Sequence, residues 1–160
     1  VAQAQVTASF RGWAPLVALQ IEYSLMERTV EGELIPMAQE LGLGVTPWSP
    51  LRGGVLTGKY TDGTPADSRG ASALLASYVE ARRTEHSARI VQSVLTAADG
   101  LGTSPLSVAL TWVRDRPGVA SAVVGARDAA QLRASLAAED LAQSGLDGAY
   151  GPPERVVLVR

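Results

Sequence analysis

The 160-residue sequence has no cysteine, so neither disulfides nor thiolate metal sites are open to it. Histidine is nearly absent too: His86 is the only one. A lone histidine cannot build a zinc site, and its charged neighbours Glu85 and Arg89 make it a surface residue on a solvated helix face. The Asp and Glu residues show no metal-ligand spacing, so no metal is expected. Neither charge dominates: 14 Lys and Arg against 16 Asp and Glu leave a net charge of −2. Without a basic stripe, no nucleic-acid partner and no anionic lipid surface is expected. No apolar run approaches the roughly 18 residues of a membrane helix. There is no Gly-x-Ser-x-Gly elbow and no phosphate loop ending in Gly-Lys-Ser/Thr. No signal peptide is visible and the sequence opens on Val1 rather than methionine. A cytoplasmic protein is the expectation, and a fragment, an incomplete gene model or a processed chain.

What is present reads as an alternation of strands and helices. Residues 1–10 look like the last turns of a helix, closed near Arg11 and Gly12. Residues 16–23 form the first strand, too continuously apolar for a half-exposed one, as in a parallel sheet covered by helices. Residues 31–41 place Leu34, Ile35, Met37, Ala38 and Leu41 on one helical face, with Gly42 as the stop. Residues 44–48 are the second strand, which completes a βαβ unit. A long loop over 50–71 follows, of the length that is usually functional or disordered. Residues 73–98 are helical in character, with Glu80, Arg82, Arg83, Glu85 and Arg89 on the solvated side. Ser104 and Pro105 start another helix as cap and first-turn proline. The third strand is 119–124, and Asp128 caps a helix over 128–137. Residues 156–159 read as an edge strand or a frayed tail.

The centre of the chain is the stretch 44–60, where a short strand runs into P-W-S-P-L-R-G-G-V-L-T-G-K-Y. Proline fixes one dihedral and removes a donor, while paired glycines let backbone approach a bound group. Lys59 after such a loop points to an anion nearby, or is a solvated lysine after an ordinary turn. Trp48 offers a flat face for stacking on a planar ring, or is a core residue. Trp13 and Trp112 read as core. Gln20, in an apolar strand, needs partners for its amide, either from backbone or from a ligand.

Residues 47–60 closely resemble the corresponding segment of the aldo-keto reductases, in the branch with bacterial reductases and potassium-channel β-subunits. Three more segments match in order: L-Q-I-E-Y-S-L at 19–25, S-P-L-S-V-A-L-T-W at 104–112, and V-V-G-A-R at 123–127 with Gln131 and Leu132. The resemblance covers about residues 1–140 and only the C-terminal half of the family. It implies an α/β fold, a partial (β/α)8 TIM barrel: its C-terminal half, with about three parallel strands and flanking helices. A complete barrel needs about 250 residues. Residues 1–150 are expected to be this barrel portion and 151–160 a tail of unknown structure.

The resemblance implies NADP as cofactor and carbonyl reduction by hydride transfer from NADPH. Gln20 corresponds to the residue that bonds the nicotinamide carboxamide, and Trp48 to the aromatic against the nicotinamide ring. Ser49, Leu51, Gly53, Leu56 and Lys59 belong to the loop around the pyrophosphate. Arg69 corresponds to a position near the adenosine 2′-phosphate; Gly125, Arg127 and Gln131 to the segment holding that phosphate and adenine. Here Ala134 and Ser135 replace an acidic residue and an asparagine common in the family, which points to fewer adenine contacts. Arg52 has no family preference and reads as surface. The family's catalytic aspartate, tyrosine, lysine and histidine come from its N-terminal half; Tyr23, Tyr60, Tyr78 and Tyr150 do not match that tyrosine. No catalytic residue is therefore expected here. The full-length enzyme would take a small-molecule carbonyl substrate. The missing N-terminal half, or a second copy, would cover the open barrel edges. The competing readings are a non-catalytic nucleotide-binding or half-barrel interaction module, possibly dimeric, and an unstable inactive fragment.

Overall fold

The computed structural model describes residues 1–141 and, as backbone alone, 157–158. Helix α1 (Ala2–Arg11) closes where expected: Gly12 turns left-handed, at φ 64, and the Gly12 and Trp13 amides bond back to the Ser9 and Ala8 carbonyls. Strand β1 (Ala18–Glu22), helix α2 (Leu34–Glu40) and strand β2 (Gly44–Trp48) form the βαβ unit. β1 pairs with β2 in parallel, with Ala18 opposite Gly44 and Glu22 opposite Trp48. This register puts Glu22 and Trp48 side by side at the carboxyl ends of the strands. Ile35 and Ala38 of α2 close over Ile21, Tyr23, Leu43 and Val45. Each fully buried apolar side chain there contributes about 1.5–3 kcal/mol.

The third strand docks on β2 but is interrupted. Val45 N–H donates to the Gly118 carbonyl and Ala120 N–H to the Val45 carbonyl, both at 2.8 Å, giving one parallel bridge between Val45 and Val119. β3 (Val123–Val124) is not paired with β2; it pairs in parallel with β4 (Val157–Leu158) in a separate two-stranded sheet. The edge-strand reading of 156–159 is thus met at its two central residues. Residues 142–156 and 159–160, with most of the expected tail and the end of the expected 1–150 unit, lie outside the described residues.

The run expected over 73–98 is two helices, α3 (Ala76–Glu80) and α4 (Glu85–Gly100). The break has a local cause. Thr84 is extended and its side chain accepts from Ser87 N–H, which starts α4 afresh. Helix α5 (Pro105–Arg114) has Ser104 as its cap, accepting from Ser107 N–H, with Pro105 in the first turn. Helix α6 (Ala129–Leu136) is capped by Asp128, which accepts from Gln131 N–H. Leu56, Val94 and Ala109 join the post-β2 loop to α4 and α5, and Leu110, Val124 and Ala138 join α5 to β3 and the turn after α6.

Two expectations about cover are corrected. β1 is packed on one face only: Ile21 is buried, while Ala18 and Gln20 on the other face are exposed. α2 covers the Ile21 side, and no described element lies over the Gln20 side. Trp13 is 63% exposed rather than core, because it follows the Gly12 turn at the end of a helix that buries only Ala8. Trp112 is packed against the core as expected, its ring tilted on Tyr23 with centroids 5.4 Å apart. His86 is on the surface, also as expected. Among the described residues, no helix is long and apolar enough to cross a membrane.

Candidate functional site

The site grows from the turn that follows β2. Ser49, Arg52, Gly53, Gly54 and Gly58 all have positive φ, at 56°, 51°, 69°, 91° and 78°. For Ser49 and Arg52, which carry a Cβ, this costs about 1–2 kcal/mol each. Surrounding contacts hold both in place. Ser49 Oγ lies 2.9 Å from Tyr78 Oη. The Arg52 guanidinium pairs with Glu22 at the end of β1 and donates to Glu27 at 3.0 Å. Gly54 is favoured by its φ of 91°, and an added Cβ would also meet the flexible end of Lys59, 2.7 Å from Cε.

Arg52 was expected on the surface. Its side chain is 13% exposed and committed to two carboxylates. Arg82 departs from its expected solvated face in the same way: its guanidinium carbon stacks 3.5 Å from the Tyr78 ring centroid, and Nη2 is 3.7 Å from Glu22. Tyr78, Glu22, Arg52 and Arg82 are the site residues that sequence reasoning missed. Glu22 shares the open face of Ala18 and Gln20 at the carboxyl end of β1, which was the available signal for one of them; the others depend on contacts across 25 residues or more.

A cleft of about 410 Å³ opens at these strand ends, walled by Trp48, Ser49, Gly53, Tyr78 and Val124, with Arg69 and Gly125 at its edge. A second lobe of about 250 Å³ shares Leu51, Gly53, Arg69, Gly125 and Ser135 with the first and adds Lys59, Arg127 and Gln131. Three cations line this lobe and no carboxylate does. Trp48 is 38% exposed and faces the larger lobe, so it is not a core residue. Gln131 serves its own helix: its Oε1 accepts from Arg127 N–H at 3.1 Å, which fixes the chain leading into α6.

Nine of the eleven residues expected to bind a cofactor thus line one two-lobed cleft: Trp48, Ser49, Leu51, Gly53, Lys59, Arg69, Gly125, Arg127 and Gln131. Two do not. Leu56 is fully buried among Val94 and Ala109, and its amide bonds the Leu51 carbonyl at 3.3 Å. Its role is to anchor the turn from beneath. Gln20 stands on the open face of β1, outside both lobes.

Charge around the site is set by local pairing. Thr29, through its hydroxyl and amide, holds the Glu27 carboxyl below the ordinary range, with help from Arg52. The Arg28 guanidinium does the same for Glu31, bonding both its oxygens, and Tyr23 adds a hydrogen bond at 2.7 Å. Burial and then Glu31 push the Tyr23 phenol well above its usual value. A separate cleft of about 310 Å³ lies between Tyr60 and α4 and contains none of the strand-end residues.

Comparison with known proteins gives one consistent answer. A family model described as the aldo/keto reductase family matches residues 2–145. The "uncharacterized oxidoreductase YrpG" of Bacillus subtilis is 37% identical over 139 residues, which is 87% of this chain and 40% of that protein. Proteins named "Probable voltage-gated potassium channel subunit beta" from Oryza sativa and Arabidopsis thaliana are 38% and 36% identical over 124 residues, 76% of this chain and 38% of each. The chain spans about two fifths of the length of the curated relatives it matches.

Proposed function

Because this chain belongs to the aldo/keto reductase family, we propose that its two-lobed cleft is the wall on which NADPH lies in a carbonyl reductase. The observation that carries this reading is the pairing of an exposed indole, Trp48, with an adjoining lobe lined by Lys59, Arg69 and Arg127 and by no carboxylate. One lobe suits a planar ring and the other suits phosphate. The Trp48 face receives the nicotinamide, and Gln20 reaches its carboxamide from the neighbouring strand. The turn at Ser49, Leu51 and Gly53 flanks the pyrophosphate. Lys59 meets the pyrophosphate and Arg69 and Arg127 the 2′-phosphate, each charge-assisted contact being worth about 1.5–3 kcal/mol. Bound NADPH supplies the hydride for the carbonyl carbon of a small aldehyde or ketone. The residues of this segment bind and orient the nucleotide. The acid that protonates the carbonyl oxygen belongs to the remaining part of a (β/α)8 barrel, of which this is the C-terminal portion in a cytoplasmic enzyme.

An NADPH titration followed by tryptophan quenching tests the reading, with Trp48→Ala as control. Saturable quenching lost in the variant is expected, with NADPH preferred over NADH. A folded sample that binds neither nucleotide would sink it.

A second reading rests on a different observation. Phe10, Trp13 and Val17, 88%, 63% and 74% exposed, leave apolar surface open at the end of α1 and on the approach to β1. In the enzyme this surface and the open side of β1 would meet the rest of the barrel; in a self-standing interaction module they would meet a second copy. Sedimentation velocity separates the two. A dimer dispersed by Phe10→Glu and Trp13→Glu supports the module, whereas a monomer argues against it.

A further inference from the structure

Tyr78 belongs to α3, yet its hydroxyl stands where three elements meet. Ser49 Oγ, just past β2, is 2.9 Å away; Glu22 Oε1, at the end of β1, is 3.4 Å away. The edge of its ring lies against Gly53, where an added Cβ would stand 3.0 Å from Tyr78 Cε1. One face of the ring is covered by the Arg82 guanidinium, whose Nη1 also bonds the Tyr78 carbonyl at 2.9 Å. The ring lines the larger lobe of the cleft. Tyr78 therefore touches two of the left-handed residues of the turn and is itself clamped.

We propose that Tyr78 is a positioning residue: its hydroxyl fixes the turn after β2 and turns the Ser49 hydroxyl toward a bound phosphate. The identity of the ligand rests on the NADPH reading above; the fixing of the turn does not. A count of protons supports the second half. Two hydroxyls and one carboxylate share two protons. With no anion in the cleft, the phenol donates to Glu22 and Ser49 donates to the phenol oxygen. When a phosphate oxygen arrives, both protons reorient: Tyr78 donates to Ser49 and Ser49 donates to the phosphate. Glu22 can release the phenol because Arg52 and Arg82 still compensate its charge. The tyrosine thus lets a serine with a single proton serve as a supported donor.

The experiment uses the full chain as wild type, Tyr78→Phe, Ser49→Ala and the double variant. Hydrogen–deuterium exchange of residues 49–54 is measured without ligand, and NADPH affinity in parallel. Tyr78→Phe keeps the packed ring, and its melting point verifies folding. Loss of one hydrogen bond is expected to speed exchange in this segment and weaken NADPH binding, each by roughly 3- to 10-fold. Exchange in α5 should not change, and the double variant should be no worse than the more affected single one. Unchanged exchange in Tyr78→Phe overturns the proposal, as do effects of the two substitutions that simply add. If the wild type binds no NADPH, the nucleotide reading fails, and the exchange data alone decide whether Tyr78 fixes the turn.

Discussion

Arg52 ties the last residue of β1, Glu22, to the turn that follows β2. The same guanidinium reaches Glu27 at 3.0 Å. A strained left-handed residue is here held by two carboxylates from the neighbouring strand and its loop. Arg52→Ala should lose about 2–3 kcal/mol, since Glu27 loses its cation and Glu22 keeps only Arg82. Arg52→Gly removes the same charges but relieves the backbone, so it should be milder by about 1 kcal/mol. Urea denaturation of the two variants separates the contributions. Equal losses would mean that the left-handed backbone at Arg52 carries no strain.

The Tyr23–Glu31–Arg28 group should shape the pH profile at both ends. Glu31 and Glu27 are depressed in the folded chain, so their stabilisation is complete above the ordinary carboxylate value of 4.5 and fades as pH falls through the folded values. Arg28→Ala should shrink the acid-side dependence. Tyr23 is raised, so its contribution is complete below the ordinary phenol value of 10.0 and is lost as pH climbs beyond it, where only the unfolded chain ionises. Tyr23→Phe should abolish that alkaline loss and cost about 1–2 kcal/mol at neutral pH. Melting temperature against pH is the measurement, and an unchanged alkaline limb would contradict the assignment.

Lys59 is the only lysine in the chain. Amine-selective acylation therefore reads one side chain besides the terminus. NADPH should protect Lys59 from modification, with inorganic phosphate giving weaker protection. Gly54→Ala, which drives a Cβ against the Lys59 stem, should change the acylation rate of the free protein and weaken NADPH binding about tenfold. Peptide mapping after a timed reaction gives both results.

Arg114 is 8% exposed, and it bonds Asp115 at 2.7 Å and the Ala138 and Leu141 carbonyls at 2.7 and 3.2 Å. It thereby fastens the turn after α6 to α5. Arg114→Met should lose about 3–5 kcal/mol. The wall bearing Gln131 and Ser135 should loosen with it, visible as faster amide exchange across α6.

Much of this fold is legible because its boundaries are local chemistry. The strand at Gly44–Trp48 stops at the left-handed Ser49, just before Pro50, α5 starts at a Ser-Pro pair, and Asp128 caps α6. The division of the 73–98 segment was also local, marked by Thr84, but its apolar pattern runs across the break. The cleft was legible through the ordered wording of residues 47–60 and 123–131. The clamp was not. Charged residues normally read as surface, and the burial of Arg52 depends on Glu22, thirty positions earlier, arriving beside it through strand pairing. The exposure of Gln20 escaped for a related reason: a strand's residues show how apolar it is, but not whether a second layer is present to cover it.

Five of the ten positions from 49 to 58 are left-handed. At Ser49 and Arg52 side-chain contacts hold the residue against the preference of its dihedral; at Gly53, Gly54 and Gly58 the sign of the dihedral governs amino-acid choice. Drift there is confined to glycine and the few residues that tolerate this region, asparagine foremost. A protein engineer seeking a new ligand would find little freedom along this turn. The adjustable surfaces are positions on the two flanks that do not brace the turn, Leu75 just before α3 and Ser135 on α6, where side chains can be exchanged while the backbone between them keeps its shape.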